Sequence, residues 1–390
     1  MGVALHIGVS DALEPRLAAA TAVRQALEDD DAAPVLALAF ATEQYDLPAL
    51  AGALGHELGS IPWAGCSAAG LIAGEQLLSQ GLVVGVLTGG VLAGVGVAGP
   101  VSRHPFESGR QAVEDALMSF GAPPPGHRRA VILLPDAFSA NGDRVVQGAT
   151  REAGAGVAWA GGGAGDNLDF VRTAQFAFGH TYQDHVVAVV LEAERPFGVG
   201  LQHGWQPYGP PVLATQTRGR AVVDLDFANA FDVYRSIAAL RGDEVGRDDF
   251  ARFAMLHPLG IPGAAGGYAI RDPLSVEVDG GLRFLAEIPD GTLLRMMEGE
   301  PDAIIAAAAL AATEARERVG GEPAFGLVFD CVSRARLLGP RIQEELTAMH
   351  TTLGRQVPMM GCLTFGEVGS FGVSLPQFHN KTAVLLSLPA

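Results

Sequence analysis

VAWAGGGAGD, at residues 157–166, carries a pattern that occurs three times in the chain. An apolar run passes into a corner of closely spaced glycines and ends on Asp166. IPWAGCSAAG at 61–70 and VPMMGCLTFGE at 357–367 share this pattern. Self-similarity of this kind is the sequence signature of repeated structural units. The sequence therefore predicts three copies of one unit.

Each glycine corner follows the same two elements, a short apolar strand and an amphipathic helix. The strands are PVLALAF from Pro34, AVILLPD from Ala130 and AFGLVFD from Ala324. Further strands in a hairpin pattern follow the corners, at 81–98, 172–204 and 371–388. A helix in such a unit must cover one face of a sheet. We therefore expect an α/β fold of layered sheets that mix parallel and antiparallel strands.

A different stretch separates the second and third copies. VVDLDFANAFDVYRSIAAL, from Val222, predicts a strand and then a helix, and HPLGIPG at 257–263 predicts an irregular loop. Turn signals divide 268–298 into three short strands, and the alanine-rich stretch 301–318 predicts a helix. Because 390 residues exceed what one core usually serves, we expect two domains, residues 1–221 and 222–390, or one large double-layered domain. The glycine corners would lie near strand ends, where open α/β sheets bind ligands, so we expect a ligand between the two halves.

Composition excludes several classes of partner. Acidic side chains number 43 against 26 basic ones, which gives a net charge of -17, and no Lys/Arg cluster is present. We therefore expect neither nucleic acid nor an anionic membrane surface as a partner. The three cysteines form no C-x-x-C pair, which predicts neither a disulfide framework nor a zinc site and favours a reducing cytoplasm.

The uncharged run GLVVGVLTGGVLAGVGVAGP, at 81–100, is long enough to be weighed as a membrane span. Its glycine density and the Gly89-Gly90 pair at its centre predict two buried strands joined by a tight turn instead. The start, MGVALHIGVS, predicts neither an export signal nor a lipid anchor.

Motifs along nearly the whole chain, in order, resemble the FIST family, in which a FIST N domain precedes a FIST C domain. Those of the first half, after the glycine corners, are LQHGWQPYG at 201–209 and VVDLDFANAFDVY at 222–234. Those of the second half are HPLG at 257–260, YAIRD at 268–272, FDCVSRARLLG at 329–339, GCLTFGE at 361–367 and FHNKTAVLLSL at 378–388. One departure is Leu71, where the family commonly has an acidic residue.

The resemblance implies a bacterial signal-input module that binds a small molecule, such as an amino acid or small carboxylate, and catalyses no reaction. Because the two halves leave no room for an output module, we expect the signal to pass to a separate histidine kinase or cyclic-dinucleotide enzyme. Some stand-alone members are associated with haem and nitric oxide sensing, which is the alternative. Its axial-ligand candidates lie outside the family motifs: His56, His104, His180 and His185.

Nine residues are predicted to contact the ligand. Glycine-corner amides form an anion-binding concavity, with Gly65, Cys66, Ser67, Gly162 and Thr364 as its members. Arg271 and Arg334 would clamp a carboxylate, and Asp166 and Glu367 would accept an ammonium group. The structural alternatives are that tight turns need glycine, that the arginines form salt bridges and that the carboxylates cap local amides.

An enzyme that uses Cys66 or Cys362 as a nucleophile is a third hypothesis, since the two thiols occupy matching positions in the first and third copies. No histidine or other general base stands beside either residue in the sequence, and free cysteine commonly packs as a small hydrophobic side chain. The pattern therefore favours a structural role for both.

Overall fold

The computed structural model describes residues 2–28, 32–138, 141–169, 171–263, 266–371 and 374–390. Unit 1 comprises β1 (Ala4–Ser10), α1 (Pro15–Leu27), β2 (Pro34–Ala41), α2 (Leu47–Leu58), β3 (Trp63–Ser67), β4 (Leu71–Ala73), β5 (Gln76–Leu78) and β6 (Leu82–Thr88). Unit 2 comprises β7 (Val91–Ala98), α3 (Pro105–Met118), β8 (Arg128–Pro135), α4 (Gly142–Ala153), β9 (Ala158–Gly161), β10 (Gln175–Ala177), β11 (His180–Tyr182) and β12 (Val186–Ala193).

Unit 3 begins with β13 (Gly198–Gln202) and is interrupted by an insertion, residues 206–298. The insertion contains β14 (Gln206–Arg218), β15 (Ala221–Leu225), β16 (Ala228–Asn229), α5 (Ala230–Ala238), α6 (Phe250–Leu256), β17 (Leu259–Pro262), β18 (Tyr268–Arg271), β19 (Pro273–Val276), β20 (Leu282–Phe284) and β21 (Leu293–Glu298). Unit 3 resumes with α7 (Pro301–Val319), β22 (Gly326–Cys331), α8 (Val332–Leu338), α9 (Ile342–Leu353), β23 (Met359–Thr364), β24 (Glu367–Gly369), β25 (Gln377–His379) and β26 (Ala383–Ser387).

The three units share one sheet topology, which confirms the predicted α/β fold with mixed sheets. Their strand orders are β1-β6-β2-β3, β7-β12-β8-β9 and β13-β26-β22-β23. In each unit the last two strands of the order pair in parallel, and the other neighbours are antiparallel. The parallel pairs are the predicted strand before each helix and the strand that enters each glycine corner. The repeat read from the sequence is therefore a real structural repeat.

Hairpins that follow the glycine corners tie the units together. The β4–β5 hairpin of unit 1 extends the sheet of unit 3 by pairing with β23, and the β10–β11 hairpin of unit 2 extends the sheet of unit 1 by pairing with β3. The β24–β25 hairpin of unit 3 reaches unit 2 through a bridge between Glu367 and Gly162. Each unit thus lends a hairpin to a neighbour.

Apolar faces of all three units meet in one core. Phe40 of unit 1 and Phe329 of unit 3 are fully buried there with ring centroids 5.9 Å apart, and Val189 of unit 2 joins the same cluster. Close helix packing depends on a glycine in the first strand of each unit. An added Cβ at Gly8, Gly96 or Gly200 would lie about 2 Å from a carbonyl oxygen of α1, α3 or α7.

The insertion forms a sheet of its own with the strand order β18-β17-β21-β14-β15-β20-β19, and β16 pairs with β15. The predicted strand and helix after Val222 and the alanine-rich helix are confirmed. The prediction for 257–263 was wrong, since β17 lies there, and 268–298 holds four strands rather than three. Backbone pairing with neighbouring strands overrides the turn residues in both stretches.

Residues 81–100 form two strands, as predicted, but only β6 is buried along its whole length, while β7 is partly exposed. None of the described helices is both long and apolar enough to cross a membrane. The hairpin prediction for 81–98 was wrong, because β6 and β7 belong to different sheets. The Gly89-Gly90 turn carries the chain from unit 1 to unit 2 instead of folding it back on itself.

Candidate functional site

The three glycine corners lie close together, and hydrogen bonds join their backbones. Gly165 N–H donates to the carbonyl of Ser67 at 2.9 Å, and Gly163 N–H donates to that of Gly366 at 2.8 Å. Leu363 N–H donates to the carbonyl of Gly70 at 2.8 Å. These amides are therefore already satisfied by neighbouring corners.

The first glycine of each corner is required by close strand packing. A Cβ at Gly65, Gly161 or Gly361 would lie only 1.7, 2.1 or 1.9 Å from a carbonyl oxygen of the parallel neighbouring strand. Gly162 faces Thr364, whose side-chain carbon would be 2.6 Å from an added Cβ. The corners are thus close-packed junctions between units.

Ser67 and Asp166 both accept hydrogen bonds from backbone amides of the loop that follows the second glycine corner. The buried Ser67 hydroxyl accepts a hydrogen bond from Ala174 N–H at 2.9 Å. The Asp166 carboxylate is fully buried and accepts from Leu168 N–H at 2.9 Å and Val171 N–H at 2.8 Å. This geometry matches the capping alternative.

Glu367 is fully buried where the corners meet. Its carboxyl group accepts hydrogen bonds from the hydroxyl of Thr364 at 2.9 Å and from the hydroxyl and N–H of Thr382 at 2.8 and 3.1 Å. Burial raises the pKa of Glu367 to about 7, although these hydrogen bonds and one to Cys331 oppose the rise. The group therefore titrates near neutral pH.

Arg334 is fully buried at the centre of an ionic network. Its Nη1 donates to the carbonyls of His203 and Lys381 at 2.6 and 3.1 Å, and Nη2 donates to Ile304 O at 2.9 Å and to Glu345 at 2.7 Å. Nε lies 3.2 Å from Glu345 and 3.1 Å from Asp330. All five N–H groups are engaged, which matches the salt-bridge alternative.

Arg271 joins the insertion to units 2 and 3. The side chain is buried, and its guanidinium lies 3.2 Å from Asp143 of α4 and 3.1 Å from the carbonyl oxygen of Phe378. Asp143 in turn accepts from Phe378 N–H at 3.2 Å. Arg271 thus fixes the junction beside the next residue, Asp272.

All three cysteines are buried free thiols. Cys66 and Cys362 hydrogen-bond to each other in the central core, and burial together with this contact raises the pKa of Cys362 well above its ordinary value. A thiol held protonated in an apolar core is a poor nucleophile. The geometry therefore disfavours the cysteine-enzyme hypothesis.

A cleft of about 420 Å³ opens next to the convergent corners, between the insertion and unit 3. None of the nine predicted ligand residues lines it, but their chain neighbours Leu168, Asp272, Arg336, Phe365 and Gly366 do. Its remaining described lining residues are Ala251, Met255, Pro273, Leu274, Leu285, Cys331, Val332, Ser333 and Asn380. The cleft is a mostly apolar pocket with a few polar groups, the usual form of a small-molecule site.

Two opposite charges lie in the cleft lining, the carboxylate of Asp272 and the guanidinium of Arg336. The Asp272 side chain is 12% exposed, and its Oδ2 lies 3.0 Å from the fully buried Nζ of Lys381 and 3.4 Å from the hydroxyl of Ser333. Arg336 is exposed and forms no ion pair or hydrogen bond with any residue that the structure describes. Sequence reasoning missed both residues, although Asp272 directly follows Arg271 and Arg336 lies two positions after Arg334. The signal available was the repeated arginine in SRAR, at 333–336.

The four histidines predicted as axial-ligand candidates do not form a haem pocket. His56, His104 and His180 are exposed, and His185 lies on an open surface groove with Nδ1 2.6 Å from the Gln183 carbonyl oxygen. The described lining of the cleft contains no histidine. These residues therefore do not fit an enclosed, histidine-ligated haem. Within the described ranges, no group of three or more His, Cys, Asp or Glu side chains is placed to hold a metal ion.

Comparison with known proteins identifies two matching family models. The FIST N domain model matches residues 35–227, and the FIST C domain model matches residues 230–370. No curated protein gives a significant match.

Among solved structures, cyanuric acid hydrolase from A. caulinodans is 11% identical with a TM-score of 0.34, covering 100% of each chain. Phosphoribosylformylglycinamidine synthase II from Thermotoga maritima is 11% identical with a TM-score of 0.24, covering 99% of this chain and 72% of that one. With identities and TM-scores this low, neither similarity is evidence for the activity of this chain.

Proposed function

The chain belongs to the FIST family, whose members are small-ligand sensory domains of signal transduction, and from that premise we propose that its ligand is an amino acid bound in the 420 Å³ cleft. The observation that carries the proposal is the pair of opposite charges in the cleft lining, Asp272 from the insertion and Arg336 from α8 of unit 3. A free amino acid carries the complementary ammonium and carboxylate groups. The chain then acts as a sensor and not as an enzyme.

Arg336 would bind the ligand carboxylate. Its guanidinium is the charged group of the wall without a described partner, and the planar fork of arginine suits bidentate contact with a carboxylate. Asp272 would accept the ammonium group. Both described contacts of this carboxylate use Oδ2, which leaves Oδ1 for the ligand.

Apolar side chains in the cleft favour an amino acid with an apolar side chain. Met255, Leu274 and Leu285 of the insertion contribute to the wall, as do Leu168 and Phe365 next to the glycine corners. Burying an aliphatic side chain there would supply about 1.5 to 3 kcal/mol. A small carboxylate without an ammonium group is the weaker alternative, since it leaves Asp272 unused.

Ligand binding would produce a signal by changing how the insertion packs against unit 3. A ligand that contacts both bodies stabilises the arrangement in which both contacts form, and so shifts the population toward it. The readout would be a separate cytoplasmic protein, a histidine kinase or a cyclic-dinucleotide enzyme. The three free thiols support a reducing compartment.

A thermal-shift screen tests the proposal. The panel contains leucine, methionine, phenylalanine, lysine, glutamate and small carboxylates, and a ligand at 100 times its Kd adds about 2.7 kcal/mol of stability. We expect the apolar amino acids to raise Tm in the wild type and not in Arg336→Gln. Arg103→Gln, which changes another exposed arginine, is the matched control. No shift with any compound, or an equal shift in Arg336→Gln, would refute the proposal.

The haem alternative finds no support in the contacts of the described residues. Adding haem to the reduced protein and recording the visible spectrum with and without nitric oxide checks this. We expect no Soret band beyond that of free haem; a protein-bound band that shifts with the gas would reinstate the alternative.

A further inference from the structure

β7 is an open edge strand. It lies at the end of the unit 2 sheet and pairs along one edge with β12, with Val91 opposite Ala193 and Ala98 opposite Val186. No described strand pairs with its other edge. Every second residue of an edge strand points its N–H and C=O away from the sheet. Proteins commonly protect such edges with charges, prolines or bulges. β7, with the sequence VLAGVGVA, has no charge or proline and pairs in unbroken register.

A groove runs along this edge. It consists of two adjoining cavities of about 740 and 510 Å³, both lined by Val95, Ser119 and Phe178. β7 lines the groove from Ala93 onward, and the turn of the β10–β11 hairpin contributes to the facing wall. Seven residues of extended chain, at about 3.3 Å each, would follow β7 from position 93 to position 99.

The groove has the chemistry of a site for a cationic, partly apolar chain. Asp115 is half-buried on its wall, accepts a hydrogen bond from Gln111 at 2.8 Å and forms no ion pair with any described residue. Neither lysine nor arginine is among the described lining residues. Phe178 and Met118, on the groove walls, are 55% and 68% exposed.

We propose that this groove binds an extended, basic segment of a partner protein as an added strand on the edge of β7. Main-chain hydrogen bonds would hold the segment, and alternate side chains would enter the groove. Charge complementarity favours such a partner over a second copy of this chain, since two copies would each bring a net charge of -17. The groove shares no described residue with the ligand cleft, so the proposal stands or fails independently of the proposed function.

Three labelled heptapeptides test the proposal by fluorescence anisotropy on the full chain. The probe alternates valine with lysine or arginine, a second peptide has N-methyl groups on alternate residues, and a third replaces the basic residues by glutamate. N-methylation preserves charge but removes the main-chain donors of one edge. We expect only the first peptide to bind, and hydrogen exchange to slow at amides within 92–98.

Two variants locate the binding. Asp115→Asn should weaken it about twofold to fivefold, the range for a partly exposed ion pair. Phe178→Ala should weaken it by about fivefold or more, as for an aromatic anchor. Phe227→Ala is the matched control, because Phe227 is also an exposed phenylalanine at positive φ, 63° against 53° for Phe178.

Four results would overturn the proposal. They are absence of binding at millimolar peptide, equal binding of the N-methylated peptide, equal binding of the acidic peptide, and undiminished binding by Phe178→Ala. Protection of 92–98 that rises with protein concentration alone would instead identify a second copy as the occupant and contradict it.

Discussion

Replacing Glu367 by glutamine should change how the stability of the protein depends on pH. Glu367 is buried where the three units meet, and burial raises its pKa from 4.5 to about 7. Because the folded protein holds this proton more tightly than the unfolded chain, the stabilising contribution is complete below pH 4.5 and is lost as pH rises through about 7. The contribution of Glu367 to the stability of the wild type should therefore fall on going from pH 5 to pH 8.

The size of this loss follows from the difference between the two pKa values. At about 1.4 kcal/mol per pH unit, the difference corresponds to about 3 kcal/mol in full, of which about 2.5 kcal/mol falls between pH 5 and pH 8. The variant cannot ionise at position 367 and should lack this loss. Relative to the wild type with Glu367 protonated, it should be destabilised by about 1 to 2 kcal/mol, because an amide cannot accept from all three partners of Glu367, and this cost does not vary with pH.

Urea unfolding of both proteins at pH 5, 6, 7 and 8 measures the effect. Burial lowers the pKa of His203 to about 4 and that of His379 to about 3, so both histidines favour unfolding on the acid side, but they are present in both proteins and cancel in the difference. The wild type minus variant difference should fall by about 2.5 kcal/mol from pH 5 to pH 8. A difference that is constant with pH would refute this account of Glu367.

Three further predictions concern the junction of the units. Gly361→Ala should destabilise the protein severely or prevent folding, because its Cβ would lie 1.9 Å from Val328 O. Gly52→Ala, on an open helix surface, should instead stabilise the protein by about 0.5 to 1 kcal/mol. Urea unfolding of both variants measures these effects. Arg334→Met should cost about 3 to 5 kcal/mol, since it strands two buried carboxyl groups, and an unchanged urea midpoint would contradict the network described for it. The thiols of Cys66 and Cys362 should resist iodoacetamide in the folded protein at pH 7 and react in urea; rapid alkylation of either folded thiol would revive the enzyme hypothesis.

The repeat could be predicted from the sequence because each unit encodes it locally. Apolar strands, amphipathic helices and corner glycines follow one another within about 40 residues in units 1 and 2. The strand order could not be predicted, because it depends on pairings between units, such as β4 of unit 1 on β23 of unit 3. The hairpin prediction for β6 and β7 was wrong because the boundary between units 1 and 2 falls between these two strands. The boundary at 222 stays a prediction, and β13 shows that the sheet of unit 3 draws on strands from both sides of it.

The residues predicted from the sequence lie close in the chain to residues of the cleft, but none of them lines it. The motif SRAR places two arginines two positions apart, and residues so spaced on a helix point to opposite sides. Only the packing of α8 reveals that Arg334 faces the buried carboxyl groups while Arg336 is exposed on the cleft. In YAIRD, likewise, the sequence does not show that Asp272 rather than Arg271 lines the cleft. Ligand contact by any of the nine predicted residues stays a prediction.

Isothermal titration with leucine and its two truncated analogues measures whether the cleft recognises both charged groups of an amino acid. One analogue, 4-methylpentanoate, lacks the ammonium group, and the other, 3-methylbutylamine, lacks the carboxylate. The account predicts that leucine binds the wild type, that each analogue binds at least tenfold more weakly, and that Arg336→Gln loses the preference for leucine over the amine while Arg103→Gln keeps it. Equal binding of all three compounds, or an unchanged preference in Arg336→Gln, would contradict the claim that opposite charges in the cleft recognise an amino acid.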